Sequence, residues 1–235
     1  MALVRLDKYL SDMGIASRRE LKAMIKDGRL SVDMQTVTVP EYKLDPDTAD
    51  VRLDGEALRY SKYRYYMMYK PEGVVTATED NRQGTVLDLV SPEMRRMGLF
   101  PVGRLDKDTS GLLLLTNDGD FAHRVISPKS EVEKLYYAKV EGIPDMSDVE
   151  AFKNGIVLAD GTQCLPAKLE LTGTDKCYVT VMEGKYHQVK RMLASRGKPV
   201  LKLKRLSIGK LELKESLAPG EFMELDEKDL CRVFM

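Results

Sequence analysis

Histidine and cysteine are scarce in this chain of 235 residues. With only His123 and His187 present, a histidine-rich metal centre is nearly excluded. The three cysteines, Cys164, Cys177 and Cys231, are odd in number and nowhere spaced as C-x-x-C. That argues against a zinc site or a disulfide framework and suits a reducing cytoplasm. No apolar run approaches the roughly 20 residues that span a bilayer. Met1 to Asp7 lacks the basic-then-apolar pattern of a secretory signal. A cytoplasmic protein that does not enter the membrane is therefore expected. Net charge is also missing, since 37 lysines and arginines balance 37 acids.

The distribution of that charge is uneven. From Lys185 to Lys214 there are ten basic residues and one acid, Glu212. Residues 1–30 carry seven basic side chains (Arg5, Lys8, Arg18, Arg19, Lys22, Lys26, Arg29) against four acidic ones, and the next thirty residues carry three against seven. Two concentrated basic segments in a neutral chain suit a polyanion-binding surface. The plainer alternative is a solvated face.

A boundary is expected near residues 60–64. Before it, Leu6 to Leu10 reads as a helix ending around Gly14, and Ser17 as the N-cap of a second helix, Arg18 to Lys26, stopped by Asp27-Gly28. Leu21, Met24 and Ile25 form its apolar stripe, so its basic residues face outward. Short strands are expected at 30–32, 36–39 and 51–53. After Ser61, strands are expected at 65–69, 111–116, 135–140, 164–171 and 176–182, with helices at 120–126, 146–154 and 186–196. Hairpins with occasional helices imply an α+β fold on a mainly antiparallel sheet.

The chemistry is expected at Gly103-Arg104-Leu105-Asp106-Lys107-Asp108-Thr109-Ser110-Gly111, which runs into four leucines and Thr116-Asn117-Asp118-Gly119. An apolar run bounded by turn residues reads as a buried strand. A carboxylate just before it sits at the lip of a core, where burial and a neighbouring cation set its ionisation and aim. Asp106, Asp108, Ser110 and Gly111 also fall at calcium-loop positions, but the closing glutamate is replaced by Asn117 and the flanks read as strands. A turn-capping aspartate is the third possibility. Tyr136 shares a strand face with Ala138 and Val140, as a core residue or as an aromatic plate in a cleft. In the segment 183–193, His187, Lys190 and Arg191 fall at i, i+3 and i+4 of the expected helix. Cations near a helix start suggest a bound anion, with a solvated stripe as the alternative.

Together these residues resemble the bacterial ribosomal RNA pseudouridine synthases over essentially the whole chain. Arg5 to Leu10, Ser17-Arg18-Arg19 and Ile25 to Gly28 resemble the S4-like RNA-binding domain, with Asp33-Met34-Gln35 where that domain has an Asn-Gly hairpin. Lys70-Pro71-x-Gly73, Gly103 to Asp106 with Thr109 and Gly111 to Gly119, Lys134-x-Tyr136 and the 183–193 segment resemble the catalytic domain. The resemblance implies an S4-like domain at 1–60 and a catalytic domain at 61–235. Tyr186 to Met192 and Leu217 to Glu221 most resemble the enzymes of small-subunit ribosomal RNA. Large-subunit relatives carry an Asn-Arg pair where this chain has Tyr186-His187.

The implied reaction isomerises uridine in RNA. The resemblance gives Asp106 the role of nucleophile or base, Tyr136 that of ring contact and proton handler at carbon 5, and Lys190 that of the cation paired with Asp106. Arg104 is implied to fill the gap left by the flipped base or to hold a phosphate. Substrate contacts are implied for Leu105, Thr109, Lys70, His187 and Arg191, and for Arg5, Arg18, Arg19, Lys22 and Lys26 of the N-terminal domain. No cofactor or metal is expected. The implied partner is ribosomal RNA in a pre-ribosomal particle, met by a monomer. Two alternatives are a synthase of large-subunit or other structured RNA, and a catalytically silent RNA-binding assembly factor.

Overall fold

The structure is a computed structural model that describes residues 3–235. The chain divides into two compact units. One runs through Arg64 and includes Val90–Leu99; the other comprises Tyr65–Leu89 and Phe100–Met235. Residues 90–99, which the span 61–235 includes, therefore pack with the first unit.

The first unit contains β1 (Val4–Arg5), α1 (Leu6–Asp12), α2 (Arg18–Lys26), β2 (Leu30–Val32), β3 (Gln35–Thr36), β4 (Lys43–Leu44), β5 (Val51–Leu53), β6 (Glu56–Leu58) and α3 (Pro92–Arg96). Ser17 caps α2 with a reciprocal capping box: its hydroxyl accepts from the Glu20 amide, and the Glu20 carboxylate accepts from the Ser17 amide. Leu21 and Ile25 bury the inner face of α2 against Leu6, Tyr9 and Leu10 of α1. Arg18, Arg19, Lys22 and Lys26 are all left exposed, as the stripe predicts.

β3, β2, β5 and β6 form an antiparallel sheet in that order. Its first hairpin turns on Asp33 and Met34, both at positive φ (49° and 67°), so a two-residue turn of the hairpin-favoured hand forms without glycine. The expected strand at 36–39 is shorter; pairing covers only Gln35 and Thr36. Gly14, at φ 70°, accepts α3 closely: a Cβ there would lie 2.7 Å from the Glu93 carbonyl oxygen.

The second unit contains β7 (Tyr65–Lys70), β8 (Phe100–Val102), β9 (Thr109–Thr116), α4 (Gly119–Ile126), β10 (Lys134–Val140), α5 (Met146–Asn154), β11 (Lys168–Leu171), β12 (Lys176–Val181), α6 (Gln188–Ser195), β13 (Val200–Ile208), β14 (Leu211–Glu212), β15 (Phe222–Glu224) and α7 (Glu227–Arg232). Its nine-stranded sheet has the order β11-β12-β10-β13-β9-β7-β15, with β14 on β13 and β8 on β9. Every pairing is antiparallel except β13 with β9, so the mainly antiparallel α+β architecture holds. All eight residues of β9 are buried. A fully buried leucine contributes roughly 1.5–3 kcal/mol, so Leu112–Leu115 hold β9 inside the sheet, between β13 and β7.

Two further expectations are corrected, and one element goes unforeseen. The strand expected from residue 164 begins at Lys168, because Pro166 has no N–H to pair. The helix expected over 186–196 begins at Gln188, because His187 adopts a left-handed conformation (φ 48°) that no helix continues. Within the basic stretch lies the nine-residue β13, which a count of charges does not reveal. Its alternation of Leu203, Arg205 and Ser207 facing in with Lys204 and Leu206 between them is a strand period.

Candidate active site

Asp106 sits in the loop joining β8 to β9, and that loop is pinned through its backbone. The Lys70 ammonium donates to the carbonyls of Pro71 (2.9 Å), Asp106 (3.0 Å) and Thr109 (2.9 Å). The Thr76 hydroxyl both donates to the Leu105 carbonyl (2.7 Å) and accepts from the Leu105 amide (3.1 Å). The Gly73 amide donates to the Lys107 carbonyl (2.8 Å). The Lys70-Pro71-x-Gly73 segment is thus the clamp that shapes the aspartate loop.

This changes the expected part of two residues. Lys70, expected to contact substrate, is instead 0% exposed with its donors spent on three carbonyls. Burial pushes its ammonium down to about 8, opposed by Asp106, Asp108 and Glu72. Thr109, also expected to contact substrate, is 1% exposed with its hydroxyl enclosed and unpaired, so its side chain faces the core. Leu105 is buried, while Arg104 beside it is exposed.

The Asp106 carboxylate meets two side chains from the segment that opens α6. The Lys190 ammonium lies 2.9 Å from one oxygen and His187 Nε2 lies 3.3 Å from the other. Lys190 also lies 2.5 Å from Asp108. Burial lowers the Lys190 pKa, but the bonds to Asp108 and Asp106 outweigh it and hold the group above the ordinary lysine value. The Lys190 bond likewise holds the Asp108 carboxyl below the ordinary carboxylate range. Both acids therefore face an ammonium. Among the described residues, no cluster of three or more metal-ligating side chains could hold a metal ion.

The turn that delivers Lys190 is locked by a small polar network. Buried Glu183 accepts from the Leu165 amide (2.9 Å) and the Gln188 side chain (2.8 Å), and pairs with Lys185. Gln188 in turn accepts from the Lys185 amide (2.9 Å). His187 consequently reaches Asp106 from the residue before α6, and not from the helix face that its spacing suggests. Arg191 points elsewhere: it pairs with Asp160 at 2.5 Å and donates to the Tyr186 carbonyl. The hydroxyl and amide of Thr162, and then Arg191, hold the Asp160 carboxyl down at about 2.

Tyr136 lies on β10, half-buried against the core formed with Ala138 and Val140. In the strand register, Tyr136 faces Arg205, Arg205 faces Gly111, and Gly111 faces Lys70. One cross-strand row thus links the tyrosine to the lysine clamp. Sequence reasoning counts Arg205 only as charge and misses this place. It is 4% exposed, donates from Nε to the Leu112 carbonyl (2.7 Å), and reaches the Tyr136 hydroxyl at 3.4 Å. One of its terminal nitrogens has no partner. Gly111 makes the row possible, because a Cβ there would overlap the Arg205 backbone.

The basic segments are less bare than their sequences suggest. In 185–214, Arg196 and Lys198 face Asp148, and Lys214 faces Asp229. Lys204 lies over the Tyr69 ring, while Lys202 and Lys210 stay exposed. Acids distant in sequence face five of the ten cations of that run: Lys190, Arg191, Arg196, Lys198 and Lys214. In the N-terminal unit, Arg5 is tied to Asp7 and Glu41, so the basic face that remains is the one on α2.

Lys134, two residues before Tyr136, is 7% exposed with no hydrogen-bond partner for its ammonium. Burial and then the charge of Arg205 push it down to about 8. An unfolded lysine keeps its proton to about 10.4. Between these values the unfolded chain holds more protons, so Lys134 costs stability most below pH 8 and less as pH rises through the window. Lys134→Met is expected to stabilise the protein by up to about 3 kcal/mol at pH 7. The gain should shrink towards pH 10. Urea unfolding at both pH values measures this, and an unchanged or lowered midpoint at pH 7 would contradict it.

Among the described residues no helix is long and apolar enough to cross a membrane. Residues 64–195 match the RNA pseudouridylate synthase family, and residues 4–49 match the S4 domain. The chain is 46% identical to an uncharacterised RNA pseudouridine synthase of Bacillus subtilis, over 97% of both chains. It is 39% identical to the ribosomal small subunit pseudouridine synthase A of Vibrio cholerae, over 98% of this chain and all of that one. It is 37% identical to the ribosomal large subunit pseudouridine synthase B of Bacillus subtilis, over 97% of this chain and 95% of that one. A crystal structure of a pseudouridylate synthase superposes with a TM-score of 0.70 at 31% identity, covering 98% of this chain and 99% of that chain. The chain therefore belongs to the RNA pseudouridine synthases, isomerases acting on RNA, with an S4 domain ahead of the catalytic domain.

Proposed function

We propose that the protein isomerises a specific uridine of small-subunit (16S) ribosomal RNA, with Asp106 as the reacting group. The observation that carries the site assignment is the Lys190–Asp106 ion pair at 2.9 Å, made on a loop whose backbone is clamped by Lys70. Isomerisation breaks the bond between the sugar's anomeric carbon and N1 of uracil, turns the base, and rejoins it through carbon 5. The hydrogen on carbon 5 leaves as a proton, N1 gains one, and no group enters or leaves the product. Asp106 either adds to the anomeric carbon, forming an ester bond that breaks when carbon 5 attaches, or removes a proton from the neighbouring sugar carbon and returns it as carbon 5 attaches. Before either step is complete, its charge steadies the positive charge that develops on the sugar as the N1 bond breaks. Lys190, 2.9 Å away, holds the carboxylate in place. The longer contact, to His187, is the one given up when that oxygen turns to the sugar. Tyr136 packs on the uracil ring and handles the carbon 5 proton, with its hydroxyl oriented by Arg205. Arg104, exposed beside Asp106, occupies the gap left by the flipped base or holds the adjacent phosphate.

The small-subunit assignment is supported by the similarity to the Vibrio cholerae enzyme and by Tyr186-His187 in place of an Asn-Arg pair. The similarity to a Bacillus subtilis large-subunit enzyme supports the second reading, a large-subunit target. We further infer a cytoplasmic monomer that meets its RNA within a pre-ribosomal particle. Because the reaction expels the carbon 5 hydrogen, tritium placed there reports turnover. Release from small-subunit but not large-subunit RNA, each offered naked and as an assembly intermediate, is the expected result. The reverse pattern would overturn the assignment.

The S4 unit, taken as residues 1–60, is assigned the grip on RNA through Arg18, Arg19, Lys22 and Lys26 on α2. Changing all four to Gln is expected to weaken RNA binding. It should also flatten the salt dependence of affinity by roughly 0.7–0.9 log units for each phosphate no longer neutralised. The rate at saturating RNA should hold. An unchanged salt slope in a binding titration would remove α2 from the interface.

A further inference from the structure

Tyr186 has no part in the chemistry above, yet it occupies the rim of the site in an unusual state. Its side chain is 74% exposed. One face of its ring is stacked on His187, with centroids 3.8 Å apart and planes 18° apart. His187 in turn touches the Asp106 carboxylate at 3.3 Å. Tyr186 is thus the outer plate of a two-ring stack whose inner plate meets the reacting group. The plate is also held in place. Arg191, anchored on Asp160, donates to the Tyr186 carbonyl; the neighbouring Lys185 and Gln188 are tied to Glu183; and His187 is fixed at positive φ.

A rigid aromatic plate with a wet outer face is poorly placed in the free protein and well placed in a complex. The substrate supplies the missing half. When a uridine leaves its stack, the base beside it loses a stacking neighbour and exposes a flat face within a few ångströms of the reacting sugar. Aromatic side chains take such faces with little regard to sequence, and cations beside them hold the backbone. We propose that Tyr186 is a stacking platform for the nucleobase adjacent to the uridine that reacts. This rests on the placement of the reaction at Asp106. It makes the unstacked neighbour, and not only the target base, part of what the enzyme selects.

The test uses oligoribonucleotides spanning the modified uridine, with 2-aminopurine at either neighbouring position, and the full-length enzyme. Wild type should quench the probe at one of the two positions. Tyr186→Ala should lose that quenching and raise the RNA concentration for half-maximal rate ten- to a hundredfold. Its rate at saturating RNA should stay within about threefold of wild type. Tyr186→Phe should behave as wild type in all three respects, because the ring suffices. Unchanged quenching and half-saturation in Tyr186→Ala would overturn the proposal, as would absence of quenching by wild type. Equal damage from Phe and Ala would move the role to the hydroxyl and also overturn it. A fall in the saturated rate without loss of affinity would reduce Tyr186 to a prop for His187. Asp106→Asn, measured alongside, separates the two levels: if it stays active, the site assignment fails whatever Tyr186 does.

Discussion

Asp106→Asn is expected to lower the isomerisation rate at saturating RNA more than a thousandfold, while the unfolding midpoint and RNA affinity stay near wild type. The amide keeps the shape of the carboxylate but supplies neither a negative charge nor a nucleophilic oxygen. The fold should tolerate it because the loop does not depend on that carboxylate. Its shape comes from Lys70 on three carbonyls, Thr76 on Leu105 and Gly73 on Lys107. Lys190 also retains Asp108 as an anionic partner, so no ammonium is stranded. Against the many orders of magnitude that enzymes supply, a variant retaining more than about a thousandth of the rate would remove Asp106 from the chemistry.

Lys190→Met should lower the saturated single-turnover rate by about a hundredfold or more, the scale on which a preorganised charge partner acts. Methionine keeps the length and apolar stem but not the cation that Asp106 faces. Asp108→Asn, which leaves the Lys190–Asp106 pair in place, should change that rate little. Lys202→Met, at an exposed position of β13, should weaken binding and leave saturated chemistry alone. Lys198 is a poorer control than its place in the basic run suggests, since it lies 4.0 Å from Asp148. If Lys190→Met and Lys202→Met alter only affinity, Lys190 is a phosphate contact and the ion pair has no part in catalysis.

Local chemistry makes much of this legible in the sequence. Ser17 three residues before Glu20 announces α2, and four leucines between turn residues announce a fully buried strand of the sheet. The aspartate loop follows from its turn residues and the buried strand after it, and its lysine partner from the family resemblance. What spacing cannot show is which side chains the fold consumes. Lys70 and Thr109 lie in the motif, but β9 and the loop draw them inward, so they shape the site from behind it. Arg205 belongs to a charged run that reads as surface, and only the pairing of β13 between β10 and β9 turns it under Tyr136. His187 has helical spacing to Lys190, yet the Glu183–Gln188 lock forces it out of the helix and onto Asp106. The acids that face cations of the 185–214 run, Asp148, Asp160 and Asp229, come from other elements, and no local window contains both partners.

The most direct measurement is a map of pseudouridines in both ribosomal RNAs of a strain lacking this gene, complemented with wild type or with Asp106→Asn. One or more small-subunit positions should disappear on deletion, return with wild type, and stay absent with Asp106→Asn produced at equal level. Restoration by Asp106→Asn would contradict the assignment of the chemistry to this carboxylate, and loss confined to large-subunit positions would contradict the substrate.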